Sequence, residues 1–429
     1  MVTQANLVGD LQSVAGAEYA RAPEGESFTV DGMRPQVVAE PGSYEEVAAV
    51  LRYANARGLA VIPQGGRWFI SMGNVPRAYD IALSIRRLDG IVEYEPADMT
   101  VTCQAGISGG RLNAHLEQHG QMVPFIRMNP DDNMTIGGLL AMNHSFMRLP
   151  HGAPRDFTIG LRVVTPDGRI SRAGGRVVKN VAGYDLCKLH IGAMGTLGVI
   201  VEATFKTFPS PLAREDRSLE FGSLRDACEF VFEAERRGTC LVAAPIDRRQ
   251  RADGDRFVPV SGYILNITLA GSPAAVARSC RELDEMAAAA RVKALDPDLL
   301  PNIEGMPEWA RRGDPLNVRA TVPRSKVPDL VKALEAEPRG LFIDPIDPAL
   351  GRITAVWLGL AEPEEVLGRF RALVTRLGGT LLVIKCSDDL KRRIDVFGDP
   401  PPAFELMRRV KHQFDPNGIL SPGRFVGRL

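Results

Sequence analysis

A chain of 429 residues is long enough for two or three domains, each with its own core. Its 52 Lys plus Arg are matched by 52 Asp plus Glu and no basic stripe runs along it, which excludes a phosphate-neutralising nucleic-acid face. Six cysteines, at 103, 187, 228, 240, 280 and 386, stand singly without a C-x-x-C pair; this argues against an iron–sulfur cluster or zinc ribbon on this chain and for buried, reduced thiols.

Residues 1–32 are polar and weakly patterned, and the opening MVTQANLVGDLQSVAG has neither the basic nor the apolar region of a signal peptide. No apolar run is long enough for a bilayer, so a cytoplasmic location is expected, with membrane association only by way of a partner. Helical spacing of Val47, Val50, Leu51 and Ala54 predicts a first helix over 44–57. Ser43 is its N-cap, Glu46 completes a capping box and Gly58 closes it. A short strand, Leu59 to Ile62, leads into Pro63-Gln64-Gly65-Gly66-Arg67-Trp68. Three strands are expected near 80–85, 91–95 and 100–105, then a helix over 108–119 that ends at Gly120. Thr135-Ile136-Gly137-Gly138 opens a further helix through Ala141, and strands near 157–165 and 169–172 flank the turn Pro166-Asp167-Gly168.

The stretch from Gly174 to Pro209 runs from the glycines Gly192, Gly195 and Gly198 into an alternating strand, Val199 to Phe208. Glycines just ahead of a strand suggest close approach of backbone to a bulky ligand. Pro209-Ser210-Pro211 marks a domain border. Beyond it, helices near 223–236, 272–290, 325–336, 362–376 and 402–413 are interleaved with strands at 262–269, 316–322, 353–358 and 380–384, a separate α+β domain. The tail from Phe414 to Phe425 has too many turn formers for a helix and too many apolar residues to float free.

The chemistry lies in the three glycine loops. Gly65 and Gly66 would let backbone N–H groups reach a diphosphate, with Arg67 adding charge. Thr135 to Gly138 stands at a helix start, where free N–H groups favour an anion. Gly195-Thr196-Leu197-Gly198 is the third loop. Each alone also reads as a tight turn, a capped helix or a strand bulge. There is no Gly-Lys-Ser/Thr of a Walker loop and no Gly-x-Gly-x-x-Gly opening a βαβ unit, which argues against a Rossmann nicotinamide site. Gly106-Ile107-Ser108-Gly109-Gly110 fits the nucleophile-elbow pattern, but no His-Gly-Gly-Gly segment precedes it, the strand before it looks alternating rather than buried, and Ser108 serves as a helix N-cap. His115 and His119, four apart, could offer two imidazoles to a metal or form a solvated face.

Lys179-Asn180-Val181-Ala182-Gly183-Tyr184-Asp185-Leu186, followed by Gly195-Thr196-Leu197-Gly198, resembles FAD-linked oxidases of the vanillyl-alcohol oxidase/p-cresol methylhydroxylase (PCMH) type. More closely, the chain is similar to the E-type FAD-binding subunits of bacterial glycolate oxidases. Supporting runs are Gly90 to Tyr94, Gly120 to Pro124, Asp415 to Gly418 and Pro422 to Arg424. The resemblance implies an α+β fold: an N-terminal segment over 1–32, a PCMH-type FAD-binding domain of two α+β subdomains over 33–211, an α+β cap domain over 212–412, and a tail over 413–429 docking back near FAD. By position, Pro63, Gln64, Gly65, Gly66, Arg67 and Trp68 would cradle the pyrophosphate. Asn133, Thr135, Gly137, Gly138 and Asn143 would line the second phosphate and ribose, and Gly195, Thr196, Gly198, Val199 and Ile200 the adenine and flavin.

Covalent members of the family carry histidine after the glycine loop; Arg67 stands here, so the FAD is expected to be noncovalent. Members that oxidise 2-hydroxy acids alone carry a histidine-rich metal site in the cap, whereas only His412 follows His190. No metal site is therefore expected. The resemblance then implies a subunit of a 2-hydroxy-acid dehydrogenase complex, with a second flavoprotein subunit and an iron–sulfur subunit as partners. Two alternatives remain open: a stand-alone FAD-dependent oxidase or dehydrogenase of another small acid or alcohol, and a flavin-free interaction subunit. Arg319 and Arg424 could pair a substrate carboxylate or serve as ion-pair partners, and no catalytic residue is assigned. Gly198→Trp is expected to block flavin.

Overall fold

The computed structural model describes residues 4–126, 133–144, 152–175, 184–253, 256–295, 315–336 and 341–429. Lys179 to Gly183 of the family-like segment lie outside them. The chain forms two compact units, the first from residues up to Ser210 together with Lys391–Leu429, the second from Pro211–Leu390.

The first unit holds two main sheets. In one, β1 (Ala20–Arg21), β2 (Val37–Ala39), β3 (Val61–Gln64) and β4 (Ile81–Ser84) lie in the order β1-β2-β4-β3, with β4 parallel to both β2 and β3. Parallel strands covered on both faces read as apolar runs, and Val61-Ile62 and Ile81-Ala82-Leu83 are buried accordingly. In the other, β5 (Ile91–Glu95), β6 (Thr100–Gln104), β8 (Thr158–Val164), β9 (Ile170–Gly174) and β10 (Val199–Lys206) run antiparallel in the order β5-β6-β10-β8-β9; β7 (Gln121–Met122) pairs elsewhere with β11 (Phe208–Pro209). Central β10 is buried from Val199 to Phe205. β6 is buried from Thr100 to Cys103, with Thr102 and Thr204 hydroxyls 2.9 Å apart, so the expected alternation is corrected: a threonine faces inward because another threonine satisfies it.

Among the helices, α2 (Tyr44–Arg57) starts where Ser43 Oγ accepts from Glu46 N and ends at Gly58, φ +65°. Glu46 reaches back to the N–H of Gly42 at 2.7 Å rather than to that of Ser43. A helix the sequence reading missed, α1 (Gln4–Ala15), buries Leu7 and Leu11 completely. α3 (Gly109–Glu117) and α4 (Ile136–Met142) follow, with two single turns, α5 (Pro154–Phe157) and α6 (Cys187–His190).

The second unit is one antiparallel nine-stranded sheet. Its strands are β12 (Ala213–Phe221), β13 (Leu241–Ala243), β14 (Ile246–Asp253), β15 (Arg256–Gly271), β16 (Lys293–Leu295), β17 (Leu316–Thr321), β18 (Leu341–Asp347), β19 (Arg352–Trp357) and β20 (Thr380–Lys385). They lie in the order β16-β12-β15-β14-β18-β19-β17-β20, with β13 on β15. Helices α7 (Leu224–Arg236), α8 (Pro273–Ala290), α9 (Val327–Glu335) and α10 (Pro363–Arg376) each bury one apolar stripe, such as Val327, Leu330, Val331 and Leu334 of α9. No helix among the described residues is long and apolar enough to cross a membrane.

Candidate cofactor-binding site

A cleft in the first unit is framed by the loop after β3. The loop lies flush on the segment before α4. A β-carbon at Gly66 would fall 1.5 Å from the Asn133 carbonyl oxygen, and one at Gly65 2.0 Å from Thr135 Oγ1. Glycine is required at both positions by this contact. The Gly66 N–H points to Thr135 Oγ1 at 3.4 Å, while those of Gly65, Arg67 and Trp68 meet no acceptor among the described residues. Three unspent backbone donors on one turn form a ready anion cradle. Arg67 occupies the left-handed region, φ +65°. Its guanidinium is engaged by the protein: Nη1 donates to Gln64 Oε1 at 3.1 Å and Nη2 to the Thr29 carbonyl at 2.9 Å. Burial pulls its pKa down, partly opposed by Tyr79. Tyr79 is itself pushed up by burial; its hydroxyl bonds Gln64 Nε2 and the Phe28 carbonyl. The loop is thus braced from behind by Gln64, Arg67 and Tyr79.

The second glycine segment differs from expectation. The Ile136 N–H donates to the Ile107 carbonyl at 3.0 Å, Gly137 to Ala105 at 2.7 Å, and Gly138 to Thr135 Oγ1 at 3.4 Å. These donors are spent within the protein, so this helix start offers no free anion site. Gly137 is a packing glycine: its β-carbon would meet Ala105 Cβ and Ile85 Cδ1 at 3.1 Å. Thr135 and Gly138 line the cleft, whereas Asn133 contributes its carbonyl to the Gly66 contact. Asn143, left-handed at φ +46°, caps α4, and its buried Oδ1 has no hydrogen-bond partner among the described residues.

The third segment reaches the same place. Gly192 N–H donates to the Leu140 carbonyl and Met194 N–H to that of Ala141, both at 2.9 Å. Gly195, φ +70°, lies against Pro63. The three loops are therefore contiguous, although from this last one only Met194 lines the cleft. Thr196 is buried, its Oγ1 donating to the Ala193 carbonyl. Val199 and Ile200 are buried in β10, paired with Val164 and Val163 of β8. A side chain at Gly198 would strike Val163 Cγ1 at 2.5 Å. Gly198→Trp would thus disrupt the sheet whether or not flavin binds, and does not discriminate as expected.

The tail closes the site. Val61 N–H donates to the Ile419 carbonyl and Ser421 N–H to the Val61 carbonyl, so Leu420 bridges Val61 as an added parallel strand residue. Buried Lys411 ties this turn down, donating to Asp415 Oδ2 at 2.5 Å, the Thr196 carbonyl at 2.8 Å and the Leu420 carbonyl at 3.0 Å. Ser421 and Arg424 line the cleft, together with Trp68, Phe69, Met142 and Met194 as its apolar wall. The sequence reading named Trp68 but missed Phe69, Met142 and Met194; their one signal was proximity to the glycine loops. A flat ring against the apolar wall and a diphosphate over the free N–H groups fit this cleft.

The two remaining motifs are structural. Ser108 caps α3, its Oγ accepting from Arg111 N at 3.2 Å. His115 and His119 both pack edge-on against Tyr94, at 5.6 and 5.2 Å between ring centres. No group of metal-ligating side chains occurs among the described residues.

Comparison with known proteins bears on the family and the fold. Residues 35–174 match the FAD binding domain family and residues 399–425 the FAD linked oxidases, C-terminal domain. A D-lactate dehydrogenase of Archaeoglobus fulgidus is 30% identical over 420 residues, 92% of each chain. A D-2-hydroxyglutarate dehydrogenase of Xanthomonas citri pv. viticola is 38% identical over 41% of this chain and 38% of its own length. Glycolate oxidase subunit GlcE of Escherichia coli is 38% identical over 35% of this chain and 43% of its own. The fold of p-cresol methylhydroxylase superposes with a TM-score of 0.72 at 16% identity, covering 99% of this chain and 97% of that one.

The fold and the cleft define an FAD-linked oxidoreductase, with a PCMH-type FAD-binding domain and an FAD-linked oxidase C-terminal domain. The chain belongs to the FAD-linked 2-hydroxy-acid dehydrogenase family. The flavin-free alternative therefore falls away. Likeness to D-lactate dehydrogenase runs the length of the chain, whereas likeness to the glycolate oxidase subunit covers 152 residues.

Proposed function

We propose that this chain oxidises a small 2-hydroxy acid, with FAD held noncovalently in the cleft of the first unit. The observation that carries the reading is the glycine loop with three unspent N–H donors beside an apolar wall. Bound FAD supplies a two-electron acceptor at the flavin N5 position. The chain's own part is to hold it: the 65–68 backbone takes the diphosphate, Trp68 and Met194 exclude water, and the tail fixes the floor.

Kinship with D-lactate dehydrogenase supports an acid of that size.

The test is the purified chain itself. It is expected to be yellow, to release FAD on heat denaturation, and to oxidise D-lactate, glycolate or D-2-hydroxyglutarate with an artificial acceptor. A colourless chain that binds no added FAD sinks the proposal. The 38% identity to GlcE favours a second reading, an electron-transferring subunit working with another flavoprotein and an iron–sulfur protein. Turnover that appears only on adding co-purified partners selects it.

A further inference from the structure

Arg424 is 3% exposed, yet it lines the cofactor cleft. Its Nη2 is committed, donating to the Ile70 carbonyl at 2.6 Å and also to that of Met72. Its Nη1 makes no hydrogen bond among the described residues; its ion pair with Asp31 Oδ2, at 3.9 Å, is too long for one. Asp31 is at the same time held by Lys391 Nζ at 2.5 Å. A guanidinium this deeply buried is costly unless its donors are met. Arg67, the other guanidinium lining the cleft, is engaged by Gln64 and Thr29.

We propose that Arg424 Nη1 donates to a phosphate oxygen of the cofactor's diphosphate, with the Ile70 and Met72 carbonyls aiming the guanidinium. The inference rests on the FAD reading above. Charge complementarity selects the diphosphate: the backbone donors of Gly65, Arg67 and Trp68 carry only partial charge, and Arg424 supplies a full one. The residue the sequence suggests for this duty, Arg67 next to the glycines, is occupied elsewhere. The tail arginine takes its place from the far end of the sequence.

The test measures binding to the apo-protein of FAD, ADP and riboflavin, which carry the diphosphate with flavin, the diphosphate alone and the flavin alone. Arg424→Met is expected to weaken FAD and ADP by ten- to a hundredfold and leave riboflavin unchanged, with the apo near-UV spectrum retained. Should that variant not hold the apo fold, Arg424→Lys serves, with an expected loss of about fivefold for FAD and ADP alone. Unchanged ADP affinity overturns the assignment, as does an equal loss for riboflavin, which would place the contact at the ring or in the fold. If the wild-type apo-protein binds neither FAD nor ADP, the FAD reading itself has failed. If wild type and variant bind both equally, only this inference has.

Discussion

Gly66 and Gly137 look alike in the sequence but have different duties. Gly66 lets two backbones touch at the edge of a cleft, and Gly137 lets α4 settle on Ala105. Composition and spacing mark both as close-approach positions; what approaches is decided by residues far along the chain. Arg424 shows the same limit, because a free Nη1 is a matter of three-dimensional donor counting. His190 carries a prediction at this scale. It is 6% exposed, edge-on to Phe414 at 5.5 Å, and its Nδ1 has no partner among the described residues. Burial lowers its pKa from 6.5 to about 4. Between these values the unfolded chain binds a proton that the folded chain refuses, so stability rises with pH across the window. The contribution is full above about 6.5, is lost as pH falls toward 4, and amounts to about 3 kcal/mol. His190→Gln should remove this slope: the stability difference between wild type and variant, from denaturant melts, should shift by that amount between pH 4 and 6.5. A pH-independent difference contradicts it.

At the level of elements, apolar periodicity made most of the helices and the apolar strands legible. α2 lies where spacing and caps placed it, because each local signal agrees with its packing. α1 was missed because Gly9 and its polar neighbours hide the pair Leu7 and Leu11, whose burial comes from tertiary contact. Strands β12 and β14 read as charged segments, AREDRSLEF and IDRRQRAD, yet both are strands, held by antiparallel ladders with β15. Strand propensity is dominated by the partner available, and that partner is not local. The tail is held by a buried ion pair together with backbone contacts such as the Leu420 bridge. Asp415 accepts from Lys411 Nζ and from the N–H groups of Ile419 and Leu420. Asp415→Ala leaves Lys411 buried without its counter-charge, and should cost about 3–5 kcal/mol of apo-protein stability. Urea denaturation measures it, and a loss under 1 kcal/mol would show the pair to be dispensable.

For the molecule as a whole, the family-like motifs made the FAD-linked class readable, since glycine loops of this kind leave little freedom in what they do. The particular substrate was less legible, because the sequence offered Arg319 and Arg424 as possible carboxylate partners without a motif to choose between them. The first unit is closed by Lys391–Leu429, which follow the entire second unit in sequence. A chain ending at residue 390 lacks Ser421, Arg424 and the Leu420 bridge to β3. It is expected to retain no FAD through gel filtration even where its second unit folds, as absorbance of the eluted protein will show; retention of a full flavin complement would contradict it.

The bridge between Val61 and Leu420 also sets an order of events during synthesis. Ribosomes deliver β3 long before its edge partner Leu420, so the cleft has an open side until that residue has emerged. Flavin capture then waits until the residues around Leu420 have been made, after the whole of the second unit.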